Sequence, residues 1–186
     1  MPVKILFLDF DGVLNSHAYQ MSLSPAERKG VIGLDPAAVA RLNGLLTIEN
    51  LEVVVSSTWR LLHEVPALAA MLREHGFRGV VRGRTPRHLR QHGMIVSAPC
   101  RGQEIQAWLH TAPDYGLEVE NFAIVDDDSD MAPLSDRLVK THFATGLLDE
   151  HVERIVKMLS EPMPSIVKPT AEDLELFDPT KLRFTQ

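Results

Sequence analysis

The chain has 186 residues, 45% of them hydrophobic and 24% charged, which suits one globular domain with a sizeable core. A formal net charge of −6 is ordinary for a soluble cytoplasmic protein, and the lone Cys100 excludes an internal disulfide framework. No apolar run is long enough to span a membrane and no signal-peptide pattern is seen, so nothing argues for membrane insertion or secretion. In chain order, an apolar strand is predicted over 3–9, then a loop to about 34 and a helix over 36–48 opened by Asp35-Pro36. A second strand over 52–56 precedes helical turns over 59–75, interrupted at Pro66 and ended by Gly76. Val80 and Val81 mark a short third strand, and 82–100 reads as irregular. A helix over 102–112, strands over 121–125 and 137–141, and an amphipathic helix over 149–159 complete the pattern. The βαβ alternation predicts a doubly wound parallel α/β sheet with helices on both faces. Residues 1–160 form the expected domain and the proline-bearing 161–186 a tail.

Three strands end in side chains that can do chemistry. The first runs into Asp9 and Asp11, followed by Gly12 and, three residues on, Asn15. Two carboxylates at such a strand end cost free energy unless they hold a metal or react, although a plain Asp-Gly turn has the same letters. The second ends in Ser56, Ser57, Thr58, Trp59 and Arg60. Its hydroxyls can bond a phosphoryl oxygen or cap a helix. The third ends in Asp126, Asp127, Asp128, Ser129 and Asp130, four acids in five residues, which repel one another unless a cation or solvent relieves them. A calcium loop fails here, because Met131 stands where glycine is needed and Arg137 where the bidentate glutamate belongs. The eight histidines form no zinc signature, and His88 and His92 read as surface helix residues.

These segments, with Arg101 at the start of the 102–112 helix, resemble in order the motifs of the haloacid dehalogenase (HAD) superfamily of phosphotransferases. Arg84, Arg87 and Arg90 compete with Arg101 for the basic motif. The similarity extends to the HAD-type domain of "Swiss army knife" RNA-repair proteins: Asp9 to Asn15, Ser56 to Arg60, Arg101 to Leu109, Asp126 to Met131, and Thr145 to Leu147 all match its pattern. The resemblance implies a HAD-like (Rossmannoid) sheet in the order 3-2-1-4-5. It also implies a minimal cap, because both cap insertion points are short here.

The resemblance further implies Mg²⁺-dependent phosphomonoester hydrolysis through an aspartyl-phosphate. Asp9 would be the nucleophile and Asp11 the general acid and base. Ser56, Ser57, Arg60 and Arg101 would bind the phosphate. Asp9, Asp11 (through its backbone carbonyl), Asp126, Asp127 and Asp130 would hold the ion directly or through water. Asp11 argues against a dehalogenase, whose halide leaves without a proton. Residues 75–103 contain six arginines and no Asp or Glu, so a polyanionic substrate such as a nucleic-acid end is expected, with a solvated basic loop as the alternative. Two further readings stay open: a catalytically silent module binding nucleic acid or phosphoprotein, and a small-metabolite or nucleotide phosphatase closed by the tail or by a second copy of the chain.

Overall fold

The computed structural model describes residues 1–28, 33–86, 100–166, 168–171 and 174. Five strands form one all-parallel sheet in the order β3-β2-β1-β4-β5: β1 Val3–Leu8, β2 Leu51–Val55, β3 Val80–Arg84, β4 Val119–Asp126 and β5 Leu138–Lys140. The expected doubly wound HAD-like order is therefore present. Alternation along the strands sorts their side chains into two cores. Leu6, Leu8, Val53, Val55, Ala123 and Val125 face helices α3 (Pro36–Gly44), α4 (Val65–Glu74) and α6 (Asp149–Ser160). Ile5, Phe7, Val54, Phe122 and Ile124 face helix α5 (Arg101–Thr111), whose Ile105 and Trp108 are fully buried. Trp108 meets Phe7 edge to face at 5.4 Å, a contact that adds about 1 kcal/mol to the area buried. Ile166, beyond α6, packs against this second core.

Several expectations shift for local reasons. Asp35 caps α3 through Ala37 N at 2.8 Å as predicted, but the α-helix stops at Gly44 and a 3-10 turn carries Leu45–Thr47. Pro66 opens α4 instead of interrupting a longer helix, because proline needs no donor in a first turn. The loop before residue 34 contains two short helices, α1 His17–Ser22, capped by Ser16, and α2 Pro25–Arg28. The third strand runs on to Arg84, with bulky side chains given up at Gly83. Arg87, Arg90, His88 and His92, and most of the 82–100 loop, lie outside the described residues.

Candidate active site

The register of the central strands sets up the site. Leu8 of β1 stands opposite Val125 of β4, and Asp9 N donates to the Val125 carbonyl at 3.0 Å. The next residue on each strand, Asp9 and Asp126, therefore emerges side by side at the C-terminal edge of the sheet, where ligands bind in open α/β folds. Gly12 lets the following loops meet. Its φ is +68°, and a Cβ there would stand 2.3 Å from the Asp127 carboxyl, so only glycine fits. Thr141 ties the two loops together: its hydroxyl donates to the Gly12 carbonyl and its N–H to the Asp126 carbonyl, both at 2.9 Å.

Carboxylate oxygens of Asp9, Asp126 and Asp127 all lie within 4.8 Å of one another. Asp9 is 5% exposed and its pKa is pushed up to about 7, first by burial and then by the Asp126 charge. Arg101, a hydrogen bond from Ser57 and the Phe10 backbone pull the other way. Burial also raises Asp126, against Arg101 and the Asp128 N–H, and it raises Asp127. Arg101 NH1 lies 3.4 Å from Asp9 and 3.6 Å from Asp126, and it donates to the Ser56 carbonyl. Burial disfavours its charge, but the carboxylates of Asp126, Asp9, Glu104 and Asp130 outweigh this and hold it protonated. Among the arginines in the described part of the 82–101 stretch, it alone touches the acids. Arg84 instead donates to Glu64 and to the carbonyls of Arg60 and His63, and Arg82 to Glu52.

Two buried oxygens bear on what the site can take. Asp126 Oδ2 and Ser56 Oγ have no hydrogen-bond partner, a costly state in a protein interior. Three converging carboxylates, one with an oxygen that accepts no hydrogen bond, match the oxygen-rich ligand set of a hard divalent cation. The Ser56 hydroxyl at the end of β2 can meet an arriving oxygen. Asp11 and Asp130 contribute no carboxylate to the cluster. Asp130 instead starts α5: its Oδ2 accepts from Arg101 N at 3.0 Å and its carbonyl from Gly102 N at 3.1 Å.

Asp11 is held by two donors, the Asn15 amide at 2.7 Å and the Trp59 indole N–H at 2.9 Å. The Trp59 ring leans edge to face on Phe10, with centroids 5.1 Å apart. Sequence reasoning assigned neither residue a role, although both belong to the matched motifs; a donor side chain next to each motif was the available signal. Ser57 caps the 3-10 turn Thr58–Leu61 through Trp59 N at 3.4 Å, so the capping reading applies to it as well. Arg60 is 5% exposed and donates to Glu104 and to the carbonyls of Ser56 and Ser57. These contacts set Arg60 against the end of the motif II strand, bracing it. Lys140, which donates to Ser129 and slightly opposes the rise that burial gives the Asp127 pKa, is a further cation near the site.

An all-parallel sheet in this order, with acids closing β1 and β4, a serine closing β2 and a basic residue opening α5, defines a HAD-like Rossmannoid domain. The family described as the HAD domain in Swiss Army Knife RNA repair proteins matches residues 5–152, most of the chain, and the protein belongs to that family. Comparison with curated proteins and with solved structures returned no match.

Proposed function

We propose that the protein hydrolyses phosphate monoesters through an aspartyl-phosphate on Asp9, with nucleic-acid ends as substrate. The observation that carries this reading is the convergence of Asp9, Asp126 and Asp127 within 4.8 Å, with Arg101 against two of them. Asp9 attacks the phosphorus in line. Arg101 and the Ser57 hydroxyl favour its ionised form, which attack requires. Asp11, oriented by Trp59 and Asn15, protonates the leaving oxygen and then takes a proton from the water that cleaves the intermediate. Ser56 Oγ and the Arg101 guanidinium bind the transferring oxygens. Mg²⁺ would be held by Asp9, Asp126 and the Asp11 carbonyl, with Asp127 and Asp130 taking its waters; when bound it neutralises the carboxylates and the charge on the phosphoryl oxygens.

The choice of nucleic-acid ends rests on the family description and on a site edged by only two short helices among the described residues of the 12–34 stretch. The basic segment supports it less than its composition promised, since Arg82 and Arg84 are spent on Glu52 and Glu64. No described helix is long and apolar enough to cross a membrane, and a cytoplasmic place is in keeping with the single cysteine. The test is Mg²⁺-dependent phosphate release from an aryl phosphate and from 3′- and 5′-phosphorylated oligonucleotides, wild type against Asp9→Asn. Release that needs Mg²⁺ and is lost in the variant is expected. No release from any of these, with oligonucleotide binding intact in the variant, would replace the enzyme with a binding module.

A further inference from the structure

A stacked aromatic pair stands on loops that are bonded to the acid-bearing loops, and the chemistry above leaves it unused. Phe143, in the loop after β5, is 56% exposed, and its ring stacks on that of His17 at the start of α1, with centroids 6.0 Å apart and planes 23° from parallel. His17 is also exposed. A single exposed phenylalanine is ordinary on a protein surface, but this one is paired with a second exposed ring, which offers a π-face for a base to stack on.

The pair is held, not floating. His17 N donates to the Phe143 carbonyl at 2.9 Å and Ala18 N to the Ala144 carbonyl at 3.0 Å. The turn behind it closes at Gly146, φ +70°, where a Cβ would stand 2.8 Å from the Val13 carbonyl. Both rings are also tethered close to the acids. Thr141, two residues before Phe143, bonds the carbonyls of Gly12 and Asp126. Asn15, two residues before His17, bonds Asp11. Two residues of chain span at most about 7 Å, so each ring is carried on chain that is anchored within two residues to Asp11 or to the loops of Gly12 and Asp126.

We infer that the Phe143–His17 pair is a stacking platform for a nucleobase next to the phosphate that the acid site receives. This rests on the phosphatase reading for the place of the phosphate and names what is attached to it. Every base has a π-face, so such a platform selects nucleotides over other phosphates while tolerating sequence. Phenylalanine and histidine are residues on which proteins stack splayed-out bases. Arg101 in the site and the exposed Lys140 beside Ser129 supply positive charge for the phosphates of the strand that carries the base.

The readout is a ratio, so that general damage cancels. Turnover (kcat/KM) is measured on a 3′-phosphorylated RNA trinucleotide and on the same strand with an abasic terminal residue, and repeated with the 5′-phosphorylated pair. Wild type should prefer the base-bearing strand by roughly ten- to a hundredfold in the orientation the site accepts. Phe143→Ala and His17→Ala should shrink that ratio. Phe143→Leu, which keeps bulk but not a flat face, should shrink it as well, and Phe143→Trp should keep it. A ratio near one in wild type, or one unchanged in Phe143→Ala, overturns the platform. So does a phosphotyrosyl peptide that shows the Phe143 dependence while the trinucleotide does not. The same strands are titrated against Asp9→Asn protein for affinity. A base preference in binding that Phe143→Ala removes, with no wild-type turnover, would keep the platform and sink the phosphatase reading.

Discussion

Removing one acid from the cluster should stabilise the metal-free protein. Asp126 is 1% exposed and its Oδ2 has no hydrogen-bond partner. At the 4.8 Å limit on their oxygens, with an effective dielectric constant near 20, its repulsion from Asp9 and from Asp127 is about 3 kcal/mol each. Its attraction to Arg101 at 3.6 Å is about 4–5 kcal/mol on the same scale. Burial disfavours the Asp126 charge most, and together with the repulsion it outweighs Arg101 and the Asp128 N–H, so the carboxyl pKa stays raised. Asp126→Asn should therefore gain on the order of 2 kcal/mol without metal, a rise of about 4–8 °C in Tm for a chain of this size.

The pH dependence follows from Asp9. Its pKa is about 7 in the folded chain against an ordinary 3.8 for a free Asp carboxyl, so the native state binds the proton more tightly than the unfolded state. The destabilisation is absent below pH 4, grows through the interval and is complete above 7. Metal-free wild type should lose stability as pH rises from 4 to 7, and the advantage of Asp126→Asn should be larger at pH 8 than at pH 5. Mg²⁺ should invert the order. An ion at a hundred times its Kd adds about 2.7 kcal/mol to wild type, and the variant loses most of that. Thermal melting followed by circular dichroism, in EDTA and in Mg²⁺ at both pH values, reads all four arms. If Asp126→Asn melts below wild type in EDTA at pH 8, the cluster is not repulsive and the cation argument loses its footing.

Two further perturbations probe the supports of the site. Trp59→Phe keeps the ring against Phe10 but deletes the donor to Asp11. Turnover of an alkyl phosphate, whose leaving oxygen needs a proton, should fall by about tenfold or more, with a smaller loss on an activated aryl phosphate; equal losses on both would deny Asp11 the acid role. Arg60→Met takes from buried Glu104, 6% exposed, its ion-pair partner and should cost about 3–5 kcal/mol in urea unfolding. Arg60→Met with Glu104→Gln should recover much of that, and no recovery would mean the pair matters for packing and not for charge.

The acids were legible because strand ends are legible. An apolar run of β-branched and aromatic residues that stops at a carboxylate places that carboxylate on the ligand-binding edge, whatever the neighbouring loops do. Parallel pairing of Leu8 with Val125 then brings Asp9 and Asp126 together, and this follows once the strand order is known. Arginines were harder, because a guanidinium reaches far and any nearby acid can claim it. Composition showed six between 75 and 103, but only contacts reveal that Glu52 and Glu64 take Arg82 and Arg84, that Glu104 takes Arg60, and that Arg101 reaches Asp9.

Trp59 was hidden for a different reason. Its indole reaches Asp11 only because Ser57 starts a 3-10 turn that swings the ring back over Phe10, forty-eight residues from its partner in sequence. The same 3-10 turn lets Arg60 reach back to the carbonyls of Ser56 and Ser57. One short turn after β2 thus does two jobs, aiming the indole at Asp11 and burying the guanidinium under the strand end. Lengthening or unwinding it would disturb Asp11 and Ser56 together, which a list of site residues treats as independent.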